Sequence, residues 1–138
     1  LIVAGPGVRA GVCRDLVLNA DLAPTLLDLA GSATPSNLHG RSLRAQIQGR
    51  AVKWRSSFLY EALEPTLGSW PLLAIRDERW KYIRTFDARD RDRLVFEELY
   101  DLKTDPAELR NLAGAAEHAA TRARLEKELS RLRRSIAT

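Results

Sequence analysis

The side chains best suited to chemistry in this chain are few and scattered. Cys13 is the single cysteine, and His39 and His118 are the only histidines. A structural zinc site takes four such ligands, so no Cys/His zinc site is expected, and one thiol provides no disulfide framework. Asp87, Asp90 and Asp92 cluster in the run Asp87-Ala88-Arg89-Asp90-Arg91-Asp92-Arg93. Carboxylates at that density suggest calcium. However, the spacing is not that of an EF-hand, no Glu closes the loop, and three arginines interleave. The run reads as a solvated, self-neutralising loop. The chain contains no G-x-S-x-G, P-loop, H-E-x-x-H or G-x-G-x-x-G. Gly5-Pro6-Gly7 has a glycine-rich texture, but no Lys-Ser/Thr pair follows to hold a phosphate.

The basic residues are also concentrated. Net charge is +4, from 18 Arg and 4 Lys against 18 acidic residues. The stretch from His118 to Thr138, with six basic and two acidic side chains, carries all of the excess. Arg76 to Arg84 mixes cations with Trp80 and Tyr82, as a nucleic-acid-binding sheet does. No RNP pattern is present, and Asp77 and Glu78 interrupt the basic run, so an exposed hairpin with an inward aromatic face is expected and no nucleic-acid partner. The terminal helix reads as a surface helix with its apolar stripe packed on a sheet. Trp54 and Trp70 have the area to stack on a ligand, but read first as cover for the core. His39 is a loop histidine beside Gly40-Arg41-Ser42.

The elements that position these residues follow from pattern. Leu1–Ala4 reads as a short buried strand broken by Gly5-Pro6-Gly7, and residues 15–19 as a second short strand. Asp21 is placed to cap a helix with Pro24 in its first turn and Gly31 past its end. Leu22, Leu26, Leu29 and Ala30 then form its expected buried stripe. A short helix spans about Ser42 to Gln48, and the texture changes near residues 49–53. Strands are expected at 58–60, 72–76, 80–86 and 95–102, with a turn at Asp77-Glu78 and a loop over 61–71. Trp80, Tyr82 and Phe86 fall on one strand face. Asp105-Pro106-Ala107-Glu108 carries a helix-start signature. A long helix is expected from about Glu117 to Ile136, with the stripe Leu125, Leu129, Leu132, Ile136. No apolar run approaches the ~20 residues of a membrane span. The absence of any Met, even at position 1, together with an opening in mid-strand, reads as an excised fragment.

In order, Leu1-Ile2-Val3-Ala4-Gly5-Pro6-Gly7, Asn19-Ala20-Asp21-Leu22-Ala23-Pro24-Thr25-Leu26-Leu27-Asp28-Leu29-Ala30-Gly31 and Gly40-Arg41-Ser42-Leu43 resemble the later part of the sulfatases. Ala74-Ile75-Arg76, Trp80-Lys81-Tyr82-Ile83, Glu98-Leu99-Tyr100-Asp101-Leu102 and Asp105 to Ala113 resemble that family's C-terminal signature. The ordered set covers residues 1–113. The resemblance implies a member of the alkaline phosphatase superfamily that hydrolyses sulfate esters, with a sulfated small molecule or glycan as substrate. The parent enzyme would use a calcium ion and a formylglycine made within a C/S-x-P-x-R motif. Cys13 stands in Cys13-Arg14-Asp15-Leu16-Val17, without that motif's Pro and Arg. No catalytic or metal-binding residue is therefore carried over, no cofactor is expected in this fragment, and the fragment alone is expected to be inactive.

What the resemblance does imply is an α+β architecture. Residues 1–51 would be the strand-helix tail of the large α/β domain. Residues 52–138 would be the small C-terminal subdomain, an antiparallel sheet of about four strands packed by the long helix. His39 and Trp70, with loop 61–71, are the candidates for a substrate-pocket rim. An N-terminal remnant without its sheet neighbours would expose apolar surface and favour self-association. Two alternatives remain open: a phosphonate or phosphate monoester hydrolase of the same superfamily, and a stand-alone interaction module built on the basic helix.

Overall fold

A computed structural model describes residues 1–64 and 70–136. It comprises two compact units, Leu1–Arg55 and Ser56–Thr138.

The second unit is an antiparallel sheet under a helix. Strands β1 (Ser57–Ala62), β2 (Leu72–Asp77), β3 (Trp80–Phe86) and β4 (Leu94–Asp101) lie in the order β1-β2-β3-β4. Each pairs antiparallel with the next, as expected of strands joined by short local connections. Leu59 faces Ile75, Ile75 faces Tyr82, and Tyr82 faces Leu99, so one cross-strand row runs the width of the sheet. Because side chains alternate along a strand, Leu73, Trp80 and Phe86 share that face. Helix α3 (Ala119–Ile136) lays Leu125 and Leu129 on it, both essentially without solvent contact. Leu132 packs at the margin and Ile136 is exposed, so the stripe expected from the sequence closes the core over three of its four positions.

The β2–β3 turn is held by Asp77, whose Oδ1 accepts the Arg79 and Trp80 amides at 2.9 and 2.6 Å. The 87–93 loop is built in the same manner. Asp87 Oδ1 accepts the Arg89 amide at 2.8 Å and its Oδ2 lies 3.5 Å from Arg93, so its carboxylate serves the turn.

One strong local signal fails here. No helix starts at Asp105-Pro106-Ala107-Glu108. Glu108 sits at φ 56°, in the left-handed region that halts a right-handed helix. The reason is tertiary: Glu108 Oε2 pairs with Lys81 Nζ at 2.6 Å, and the Asp105 carboxylate accepts the Arg110 amide. Asn111 then ties the segment to β4, accepting the Leu99 amide and donating to the Glu97 carbonyl.

The first unit contains α1 (Leu22–Leu29) and α2 (Arg44–Ile47) among extended and turn segments. Helix α1 ends as its sequence predicts. Gly31, at φ 71°, donates to the Asp28 carbonyl and Ser32 to the Leu27 carbonyl, the paired closure that a left-handed residue allows. Residues 1–4 and 15–19 form no strands, contrary to the expectation from their apolar runs. A strand needs a neighbour to satisfy its backbone, and no described strand lies beside either segment. Leu22, Leu26 and Leu29 are also not buried, Leu26 being 67% exposed. The face of α1 that packs within the unit instead carries Pro24 and Thr25.

Candidate functional site

The most highly organised polar cluster lies in the first unit around Asp21, which has no solvent exposure. The sequence suggests a helix cap, but no side-chain capping bond forms there. The carboxylate instead takes both arms of the Arg55 guanidinium, at 2.6 Å each. It also accepts the Leu18 amide at 2.8 Å and the Arg41 amide at 2.9 Å. Arg55 Nη1 and Trp54 Nε1 both donate to the Leu16 carbonyl, and the Arg55 guanidinium stacks over the Trp54 ring at 4.6 Å. The Thr25 hydroxyl donates to the Asp21 carbonyl and accepts the Leu43 amide at 2.9 Å. Three segments, 16–21, 41–43 and 54–55, are therefore joined through one carboxylate and one hydroxyl. Gly40 completes the arrangement: a Cβ there would fall 1.8 Å from the Ala20 carbonyl oxygen, so only glycine admits the approach.

Burial by itself would raise the Asp21 pKa. The bonds from Arg55 and the Arg41 and Leu18 amides outweigh it and hold the carboxyl below its ordinary value of 3.8. In the second unit, Asp101 is held well below that value, chiefly by two bonds from Arg79 at 2.9 and 2.7 Å. Both groups are depressed by folding. The stabilisation they contribute is complete above the ordinary aspartate range and is lost as pH falls through the folded-state values. Thermal melts should therefore give a level Tm from neutrality to about pH 5 and a steep fall below about pH 4. A Tm that rises on acidification contradicts this assignment.

The β-sheet carries a second buried network. The Tyr82 hydroxyl donates to Glu97, and burial followed by that bond raises the phenol far above its ordinary range. The Tyr100 phenol, bonded to Glu98, is pushed up to about 12. Both remain protonated hydrogen-bond donors and are not available as bases near neutrality.

The rim candidates are placed as follows. His39 is exposed and directly precedes Gly40, so the Asp21 cluster anchors the chain beside it. Trp70 is 46% exposed and does not cover the core, contrary to one reading of its sequence. Loop 61–71 begins inside β1, which runs to Ala62, and its residues 65–69 lie outside the described residues. Trp54 is partly buried and engaged with Leu16 and Arg55. In the same unit an open cavity of about 580 Å³ is lined by Asp28, Ser42, Arg44 and Arg50. Asp28 already pairs with Arg44 at 2.9 Å and accepts from Ser42.

Among the described residues no three of His, Cys, Asp and Glu converge as a metal site. Cys13 is exposed in a sequence context unlike C/S-x-P-x-R. Among the described residues no group therefore fits a calcium centre, Cys13 lacks the formylglycine motif, and no chemical step is assigned to these residues.

The cations of α3 are mostly paired to the sheet and to their own helix. Arg124 pairs with Asp77 at 2.8 Å, Arg133 with Glu61 at 3.3 Å and Arg131 with Glu128 at 2.7 Å, while Glu126 pairs with Arg84 at 3.2 Å. The sequence shows the net charge of this helix but not these partners.

Comparison with known proteins places these features in a family. Residues 1–135 match the family described as N-sulphoglucosamine sulphohydrolase, C-terminal. The chain is 33% identical over 139 aligned positions to the N-acetylglucosamine-6-O-sulfatase of Bacteroides thetaiotaomicron, covering 96% of this chain and 23% of that protein. A solved structure described in complex with its substrate D-glucosamine-2-N,6-O-disulfate matches with a TM-score of 0.73 and 31% identity, over 85% of this chain and 24% of that one. A phosphonate monoester hydrolase from Silicibacter pomeroyi matches with a TM-score of 0.66 and 32% identity, over 83% and 24% respectively. The chain thus spans roughly a quarter of the length of these relatives. With its four-stranded antiparallel sheet, its long terminal helix and a match over almost its whole length, this chain belongs to the sulfatase C-terminal family.

Proposed function

We propose that the chain is the C-terminal part of an enzyme that hydrolyses sulfate esters of a small molecule or glycan. The observation that carries this reading is the match of residues 1–135 to a sulfatase C-terminal region. In this reading residues 1–51 complete the large α/β domain of the parent, and residues 52–138 form its small subdomain. Calcium and formylglycine would be held by other residues of the parent, where the metal would supply Lewis-acid polarisation of the sulfate, and no step through either is assigned to this chain. The Asp21 cluster fixes the backbone that presents His39; His39 in the first unit and Trp70 in the second are each, taken separately, candidates for a substrate-pocket rim of the parent. The chain alone does not turn over substrate. Reading the frame upstream of Leu1 tests the class: a C/S-x-P-x-R motif supports it, and a frame without one contradicts it.

The similarity to a phosphonate monoester hydrolase favours a second reading, in which the parent cleaves phosphonate or phosphate monoesters. The two share this C-terminal architecture and differ in the chemistry held elsewhere.

The isolated chain is also expected to self-associate. Leu22, Leu26 and Leu29 lie along one exposed side of α1. Light scattering should give a mass that rises with concentration, and Leu26→Glu should abolish the rise. A constant monomer mass for the unaltered chain contradicts this.

A further inference from the structure

We infer that α3 and the adjoining strand ends form a binding groove for a sulfated oligosaccharide. The inference rests on the sulfate-ester reading above and names a surface of this chain that engages a ligand of that chemistry.

Arg124, Lys127, Arg131 and Arg134 are spaced three, four and three residues apart. At ~100° per residue these positions form one stripe along the helix, and at ~1.5 Å per residue it is about 15 Å long. All four line a groove of about 370 Å³, together with Ser56 and Ser57. That volume is within the ~300–1,000 Å³ of ordinary ligand sites.

Two of the cations are fixed in direction. Asp77 Oδ2 holds Arg124 at 2.8 Å, and Glu128 holds Arg131 through two bonds of 2.7 Å. The Arg124 and Arg131 side chains are nonetheless 54% and 59% exposed. A guanidinium has five N–H donors, so each keeps donors for a ligand after these bonds. Lys127 lies between them, is exposed, and makes no ion pair among the described residues. The four cations and two carboxylates leave the groove net positive.

The composition favours a sulfated glycan over a nucleic acid. No aromatic side chain lines the groove to stack a base. Asp77 and Glu128 interrupt what would otherwise be a continuous track for a phosphate backbone. A glycan presents discrete sulfates separated by hydroxyl groups. Discrete cations receive the sulfates, and the carboxylates and serine hydroxyls receive the sugar hydroxyls.

The test is a fluorescence anisotropy titration of the whole 138-residue chain with a labelled heparin-derived oligosaccharide. A desulfated oligosaccharide and a single-stranded DNA of matching charge serve as the other two probes. The sulfated probe should bind, and the desulfated one should not. Lys127→Glu should weaken binding about tenfold. Lys103→Glu, the same charge change at an exposed lysine outside the groove, should alter it by less than about twofold. If circular dichroism shows Lys127→Glu to be unfolded, Lys127→Gln is read instead, with an expected loss of about threefold. Failure of the sulfated probe to bind overturns the inference. So does equal loss from the two lysine reversals, or DNA binding as tight as that of the glycan. The titration reads no turnover, so its failure leaves the hydrolase reading standing. A parent that releases no sulfate, conversely, leaves the titration interpretable.

Discussion

Asp21→Ala is expected to destabilise the Leu1–Arg55 unit by about 3–5 kcal/mol, the cost of removing one partner from a buried ion pair. The substitution leaves the Arg55 guanidinium without its counter-charge. It also deprives the Leu18 and Arg41 amides of their acceptor. These part-buried donors lose their acceptor, which adds to the cost. The effect should spread beyond residue 21, because the Arg41 bond and the Thr25–Leu43 bond together hold the 41–43 segment. Hydrogen exchange at the Arg41 and Leu43 amides is the direct readout. Both should lose about two orders of magnitude or more of protection. Asp21→Asn keeps the shape but not the charge and should cost less than the alanine variant. Retained protection in Asp21→Ala would show that the carboxylate does not hold these segments together.

In the sheet unit, Leu125→Ala is expected to cost about 2–5 kcal/mol. Leu125 is without solvent contact and sits in the cluster formed by Ile75, Tyr82, Leu99 and Leu129. Its truncation removes apolar contact and leaves a cavity that a sheet face cannot collapse to fill. The urea midpoint should fall while the slope of the transition stays unchanged. Ile136→Ala, at an exposed position of the same stripe, should change stability by less than about 0.5 kcal/mol. Equal effects from the two variants would contradict the assignment of the core.

These two residues also mark where the sequence was and was not readable. Leu125 and Leu129 follow the helical period, and Trp80 and Tyr82 the strand period. Elements whose face packs within the chain obey such periods, and there the fold was legible. Asp21 looked like a cap because a cap is a local device, and local spacing is all that a sequence displays. Its real partner, Arg55, is 34 residues away and is chosen by tertiary structure. The helix start at Asp105 failed for the same reason. A bond between Glu108 and Lys81, 27 residues apart, accompanies a backbone conformation that local preference disfavours.

The strands expected at residues 1–4 and 15–19 and the buried stripe of α1 failed differently. Their apolar patterns specify burial, but no described residue of this chain supplies the strand partner or the cover. The family was legible from the ordered motifs. The rim candidates, His39 and Trp70, were identified by residue type alone, since an exposed side chain leaves no periodic trace. The excess charge of the terminal helix was visible, but the Lys127 stripe, its groove and the carboxylates that orient its neighbours were not.

The most direct test of the central claim is the rate of sulfate release from 4-nitrophenyl sulfate with calcium present. It should be run on this chain and on the polypeptide encoded by the whole reading frame, with an aryl phosphonate monoester as the competing substrate. The longer polypeptide should release sulfate in preference to cleaving the phosphonate, and the chain alone should stay at background. Turnover by the chain alone, or a longer polypeptide that cleaves only the phosphonate, would contradict the account.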